Sequence, residues 1–125
     1  MEEQKFSVKK RLISFQYAFN GFKFLIKEEH NSRIHLFAAL CVIILSIFLG
    51  ISGNEWVAII FAIGFVLVLE IVNSAIENIC DFISPEKQNK IKKIKDLSAA
   101  AVLTGAVTAL IIGIIIFLPK LIELC

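Results

Sequence analysis

Four polar side chains recur every three or four residues in one apolar stretch of the chain. They are Glu70, Asn73, Glu77 and Asp81 in LEIVNSAIENICDFI, residues 69–83. At about 100° per residue, the last three lie within roughly 60° of Glu70 around a helix, so the spacing predicts a single polar face, which we call the acidic stripe. Carboxylate and amide oxygens are the ligands that Mg²⁺ prefers, often as one or two carboxylates together with substrate phosphates.

Three interpretations of the acidic stripe are open at this point. The acids can pair with cations of another helix and hold an assembly together. Alternatively, Glu77 with Asn73 one turn deeper can form a Mg²⁺ site. The third interpretation is an ion or proton path, which would usually place acids along several membrane spans, and the first apolar stretch of this chain has none.

The elements that position the stripe follow from composition. The chain has 125 residues, is 58% hydrophobic and has a mean hydropathy of +0.82, more than a soluble domain of this size can bury. Three apolar stretches are long enough for a membrane helix, which needs roughly 20 residues. We therefore predict an all-α integral membrane protein with one membrane-embedded domain, whose spans are 34–53, 56–82 and 97–118.

The N-terminal part predicts an amphipathic helix over residues 7–28 that lies on the inner membrane surface, because Phe and Leu side chains recur on one face and Lys and Gln on its neighbour. Twelve of the thirteen Lys and Arg lie in 1–33 or 81–96. Positively charged segments stay in the cytoplasm, so the N-terminus and the second loop are expected inside and the C-terminus outside. No cleavable signal peptide is expected.

The loop after the stripe, PEKQNKIKKIKD at 85–96, carries positive charge to the same membrane surface. Lys95 and Asp96 lie at the entry of the third span, where an ammonium can reach phosphates held by a metal beside Glu77. Carboxylates, a metal ion and a lysine at one membrane surface are the groups that phosphoryl transfer needs. The sequence has no GxxxxGK[ST] loop and no protein-kinase signature, so a nucleotide site must have another design.

Small residues recur every four positions in the third predicted span, and two threonines beside them are candidates for hydrogen bonds. The set is Ala101, Gly105, Ala109 and Gly113, with Thr104 and Thr108. Such a ridge permits close helix contact within or between chains. Because three spans give little material to enclose a polar site, we expect a homo-oligomer, and no nucleic-acid partner.

Two motifs, ExxNSAIExxxD at 70–81 and KDLSAAAVL at 95–103, resemble the prokaryotic diacylglycerol kinase family, which includes the undecaprenol kinases. The similarity extends from Phe15 to the third span. It implies a homotrimeric enzyme of the bacterial inner membrane that uses MgATP to phosphorylate a lipid alcohol. A non-catalytic membrane assembly or an ion-conducting protein is the alternative. The segment NGFKFLIKEEHNSRIHL is more similar to the undecaprenol kinase branch, although the lipid stays open.

The resemblance also assigns roles by position. It implies that Glu70 is the general base with Asn73 as its polar neighbour, and that Glu29 and Glu77 bind Mg²⁺. The implied nucleotide-binding residues are Lys10, Arg11, Tyr17, Glu29, Glu77, Asp81, Lys95 and Asp96. Glu28, next to Glu29, is the alternative metal ligand. Lys87 and Gln88 depart from the family pattern of aromatic and His residues, so adenine contacts are not implied.

Overall fold

The computed structural model describes residues 7–83 and 88–125, and the described residues form helices without any strand. This confirms the predicted all-α class. Three of the helices are long and apolar enough to cross a membrane, as predicted. Lys87, where the sequence departs from the family pattern, lies outside the described residues. The helices are α1 (Val8–Glu28), α2 (His30–Leu49), α3 (Gly53–Ile83) and α4 (Asn89–Leu124).

Helix α1 begins where Ser7 Oγ accepts a hydrogen bond from the Lys10 amide at 3.4 Å, a typical N-cap. Most of its apolar side chains are exposed, and Leu25 near its C-terminal end is buried. The exposed set includes Leu12, Phe15, Phe19, Phe22 and Ile26, the residues that predict an apolar face. Its position on a membrane surface stays a prediction.

Helices α2 and α3 are joined by a tight turn. Gly50 adopts the left-handed conformation, and the amides of Gly50 and Ile51 donate to Ile47 and Ser46 at 3.3 Å, which is the Schellman motif. Helix α2 therefore ends at Leu49, before the predicted limit of the first span. Ser52 and Glu55 then form a capping box, with bonds of 3.2 Å and 3.0 Å between each amide and the other side chain.

Helix α4 is longer than the third predicted span. It starts at Asn89 and continues through Pro119 to Leu124, beyond both limits of the third predicted span, 97–118. Proline removes one backbone hydrogen bond, and here the helix continues past that loss. This continuation places Lys120 Nζ 3.2 Å from Glu55 Oε1. The ion pair links the last turns of α4 to the first turn of α3.

Helices α3 and α4 pack closely along much of their length. Gly105 permits the approach, because a Cβ atom there would lie 2.5 Å from Leu69 Cδ1. Gly113 has nothing within 4 Å of such an atom, so only part of the small-residue ridge is used inside the chain. Thr104 and Thr108, expected as candidates for hydrogen bonds, donate to carbonyls of their own helix at 2.8 Å.

Candidate functional site

Glu70 is the most deeply buried residue of the acidic stripe, with 4% of the residue exposed. Its Oε1 atom is paired with Nδ1 of His35 in α2. Its Oε2 atom is buried and has no hydrogen-bond partner within the described residues. One oxygen of this carboxylate therefore lies against a residue of another helix, and the other has no described partner.

A cavity of about 580 Å³ lies between α2, α3 and α4 and reaches Glu70 and His35. These two are its titratable lining residues, and the rest of its wall is almost entirely apolar. Representative wall residues are Val42, Ile59, Val66, Ala109, Gly113 and Phe117. The shape and chemistry suit a hydrocarbon chain whose polar end meets the Glu70 carboxylate.

Asn73 lies one turn beyond Glu70 and links α3 to α4. Its side-chain oxygen accepts a hydrogen bond of 2.6 Å from the hydroxyl of Ser98, which is buried. Ser98 belongs to the KDLSAAAVL motif, so this bond joins the two motifs in space. The contact fixes the Asn73 amide beside Glu70, where it can orient a polar ligand.

Glu29 occupies the corner between α1 and α2, in an extended conformation that ends one helix and precedes the next. Its Oε1 accepts a hydrogen bond of 3.1 Å from Ser74, a buried residue of α3. Ser74 precedes Glu77 by three residues, about one helical turn, so the corner brings Glu29 towards Glu77. Glu28 is exposed and belongs to α1.

Lys95 meets the end of the acidic stripe. Its Nζ lies 2.6 Å from Asp81 Oδ1, and it precedes the apolar stretch that starts at Leu97. The hydrogen bond to Asp81 raises the pKa of Lys95, and the nearby charges of Asp81 and Glu77 act in the same direction. The ammonium therefore stays protonated and remains about one-third exposed, in a position to meet phosphate oxygens.

Asp96 is directed differently from its neighbour Lys95. It accepts a hydrogen bond of 2.7 Å from Lys92 on the same helix, and both side chains are mostly exposed. That bond raises the pKa of Lys92. Asp96 is thus part of an exposed pair in the first turns of α4, separate from the contact between Lys95 and Asp81.

The three predicted nucleotide-binding residues of α1 lie apart from this cluster. Lys10, Arg11 and Tyr17 are exposed. At about 1.5 Å per residue, Tyr17 lies about 18 Å along the helix from Glu29, and Lys10 about 28 Å. The structure places Glu29 against Ser74 and Lys95 against Asp81, both on α3, and the rise of α1 keeps its three predicted residues far from Glu29 within the chain.

A metal site here would use few protein ligands. Within residues 7–83 and 88–125, no three His, Cys, Asp or Glu residues are grouped so that they could hold an ion. Glu29 and Glu77 offer two carboxylates on either side of Ser74, and Mg²⁺ often takes one or two carboxylates and completes its shell with phosphates and water. The donor set fits Mg²⁺ bound together with a nucleotide.

Three residues of the site were not singled out from the sequence. Ser74 and Ser98 lie inside the quoted motifs, but their partners on other helices cannot be read from spacing. His35 had a clearer signal, because a titratable residue in the first turns of an apolar span is a functional candidate by default.

The part of the chain that contains Glu29, Glu70 and Lys95 is similar to known proteins. The profile of the family described as prokaryotic diacylglycerol kinase matches residues 16–117. The chain is 39% identical over 108 residues to the undecaprenol kinase of Bacillus subtilis, covering 86% of this chain and 88% of that protein. It is 32% identical over 102 residues to the diacylglycerol kinase of Haemophilus influenzae, with coverage of 82% and 84%. The diacylglycerol kinase of Synechocystis is 32% identical over 114 residues, covering 90% of this chain and 65% of that protein.

Proposed function

Since the chain belongs to the prokaryotic diacylglycerol kinase family and is a lipid kinase, we propose that it transfers the γ-phosphoryl group of ATP directly to the hydroxyl of a membrane lipid alcohol. The single observation that carries the proposal is the apolar cavity that ends at the buried carboxylate of Glu70. A hydrocarbon chain in that cavity presents its hydroxyl to a base, and the polar groups for a nucleotide lie one to three helical turns away.

Glu70 is the general base of this proposal. Its free Oε2 accepts the hydroxyl proton while the lipid oxygen forms a bond to the γ-phosphorus and the bond from that phosphorus to the bridging oxygen of ADP breaks. The amide of Asn73, held by Ser98, orients the hydroxyl. Positioning of this kind supplies much of the rate of phosphoryl transfer, because the reaction itself needs little covalent participation by the protein.

Glu29 and Glu77 would hold Mg²⁺ in the proposed site, and the ion when bound neutralises phosphate charge. The hydrogen bond from Ser74 supports Glu29 over Glu28 as the ligand, because it directs the Glu29 side chain towards α3. Lys95 adds a second positive charge, which Asp81 holds in place until phosphate oxygens compete for it. Asp96 is proposed as a further nucleotide contact.

The remaining proposed nucleotide contacts, Lys10, Arg11 and Tyr17, lie along α1. In a homotrimer, these residues can belong to the site of a neighbouring copy, which would reconcile their distance from Glu29 with a nucleotide role. The trimer is part of the proposal. Cross-linking of the purified protein in detergent, followed by mass measurement, tests it.

Undecaprenol and diacylglycerol are the two alcohols to compare. The experiment uses purified protein in detergent micelles with Mg²⁺ and ATP labelled at the γ-phosphate, and measures label in the extracted lipid. We expect labelled lipid monophosphate from at least one alcohol, with undecaprenol tested first because of the identity to the Bacillus subtilis enzyme. No label in either lipid, from protein that still binds ATP, would overturn the proposal.

The proposed orientation in the inner (cytoplasmic) membrane puts the nucleotide groups inside. In a background without the native cysteines, Asn54→Cys should react with an impermeant thiol reagent added to intact cells, and Asn89→Cys should react only after lysis. The reverse pattern would reject this orientation, and with it the use of cytoplasmic ATP at Lys95.

A further inference from the structure

We infer that His35 is a positioning residue for Glu70: its Nδ1–H holds Oε1, so that Oε2 is directed to the lipid hydroxyl. The inference rests on the proposed function and adds a residue to which none of the motifs or comparisons gives a role. Its starting observation is the pairing of His35 Nδ1 with Glu70 Oε1 between α2 and α3.

The pairing answers a physical need of the Glu70 side chain. A carboxylate that is 4% exposed in apolar surroundings is costly unless it is paired and hydrogen-bonded. The carboxylate accepts hydrogen bonds and cannot donate, so the imidazole must carry its hydrogen on Nδ1. Because Nδ1 is buried while 35% of the His35 side chain is exposed, the exposed part of the ring lies away from Glu70.

Among the described residues that line the cavity, His35 is the one polar side chain besides Glu70. The cavity wall contributed by α4 near Glu70 consists of apolar residues, among them Ala106, Ala109 and Leu110. On α3, Glu70 itself is the titratable residue that faces the cavity. Without His35, both carboxylate oxygens would therefore lack a described partner, and the side chain could rotate away from the hydroxyl. The expected consequence is a lower turnover rate rather than weaker ATP binding.

Three substitutions test this contact by geometry. The side-chain amide nitrogen of His35→Asn can occupy the position of Nδ1, whereas that of His35→Gln is closer to the position of Nε2. His35→Ala removes both. We expect His35→Ala to lower kcat about 10-fold to 100-fold, the usual effect of removing a group that orients a functional residue, with the KM for ATP unchanged. His35→Asn should retain most of the turnover and His35→Gln should behave like His35→Ala.

Testing His35→Ala in a Glu70→Asp protein shows whether His35 acts by positioning Glu70 or by stabilising the fold. Glu70→Asp keeps a carboxylate that is one methylene too short to meet Nδ1, so adding His35→Ala to it should cost no further turnover. Wild-type turnover in all three His35 variants would overturn the inference and leave the proposed function intact, as would an equal loss in Asn and Gln. The inference would also be overturned if His35→Ala lowered turnover by the same factor in the Glu70→Asp background as in the wild-type protein. A wild-type protein that binds ATP and phosphorylates no lipid alcohol would overturn both.

Discussion

The two ends of the α2–α4 bundle are built in different ways. The turn end, where α2 meets α3, has an apolar cluster formed by Ile51, Ile59, Ile116 and Phe117. At the other end, which we call the site end, three buried polar residues each meet a side chain outside their own helix: Glu70 meets His35, Ser74 meets Glu29 and Ser98 meets Asn73. The turn end holds the helices together, and the site end presents chemical groups.

The two ends should also differ in how substitutions change the free energy of unfolding. Apolar side chains at the turn end can be exchanged for others of similar volume at small cost, because cores tolerate such changes. Each polar group at the site end is stable only with its partner, since an unpaired polar group in apolar surroundings costs free energy. Removing one partner at the site end should therefore lower both activity and stability, whereas volume-conserving exchanges at the turn end should leave activity unchanged.

The largest effect is expected from Glu70→Gln at the site end. Glutamine keeps the size and one hydrogen-bond acceptor but cannot take up the hydroxyl proton, so turnover should fall about 10²-fold to 10⁴-fold while ATP still binds. The control is Glu55→Gln, the same change on the same helix at the turn end, which should leave turnover unchanged. A Glu70→Gln protein that melts earlier in detergent but phosphorylates lipid at the normal rate would exclude the general-base role.

The next effect concerns the corner between α1 and α2. Glu29→Gln should lower turnover by about 10-fold to 100-fold at low Mg²⁺, with partial recovery as Mg²⁺ is raised, because one charged metal ligand is lost. Glu28→Gln provides the matched control, since Glu28 is exposed on α1 and should tolerate the change. Titrations of turnover against Mg²⁺ for both variants decide the assignment, and equal losses would contradict it.

The lengths of the apolar stretches were enough to predict the three apolar helices, and the spacing of the polar residues was enough to place the acidic stripe within a single helix. Those predictions depend on residues close together in the chain, and α3 is continuous from Gly53 to Ile83. Helix α4 extends beyond the third predicted span at both ends, and the limits of that span within a membrane stay a prediction. The roles of the stripe residues, the trimer and the orientation stay predictions.

The pairings at the site end could not be predicted in the same way. Ser74 and Glu29 are 45 residues apart, and Asn73 and Ser98 are 25 apart. Such contacts depend on how far the helices are rotated about their axes and on the extended residue at position 29, neither of which local spacing specifies. The pairing of His35 with Glu70 belongs to the same class.

The close approach of α3 and α4 between the two ends gives a stability prediction. Gly105→Val should lower the free energy of unfolding by about 1–3 kcal/mol, because the new side chain overlaps Leu69 Cδ1 and the Leu69 side chain must repack. Gly113→Val makes the same change where a Cβ atom has nothing within 4 Å, so it should cost less. Unfolding of both variants in mixed micelles, followed by circular dichroism, measures the difference, and equal destabilisation would contradict the packing.

The smallest effect is expected from Lys120→Gln at the turn end. Its ion pair with Glu55 joins the end of α4 to the start of α3, but the side chains are 30% and 26% exposed, and partly solvated pairs contribute at most about 1 kcal/mol. The capping box keeps Glu55 in place when Lys120 is changed, because the hydrogen bonds to Ser52 remain. Turnover should stay normal and the melting temperature should fall slightly, less than for Gly105→Val. A strong loss of turnover would mean that the turn end is coupled to the site, and that the separation between a holding end and a chemical end is wrong.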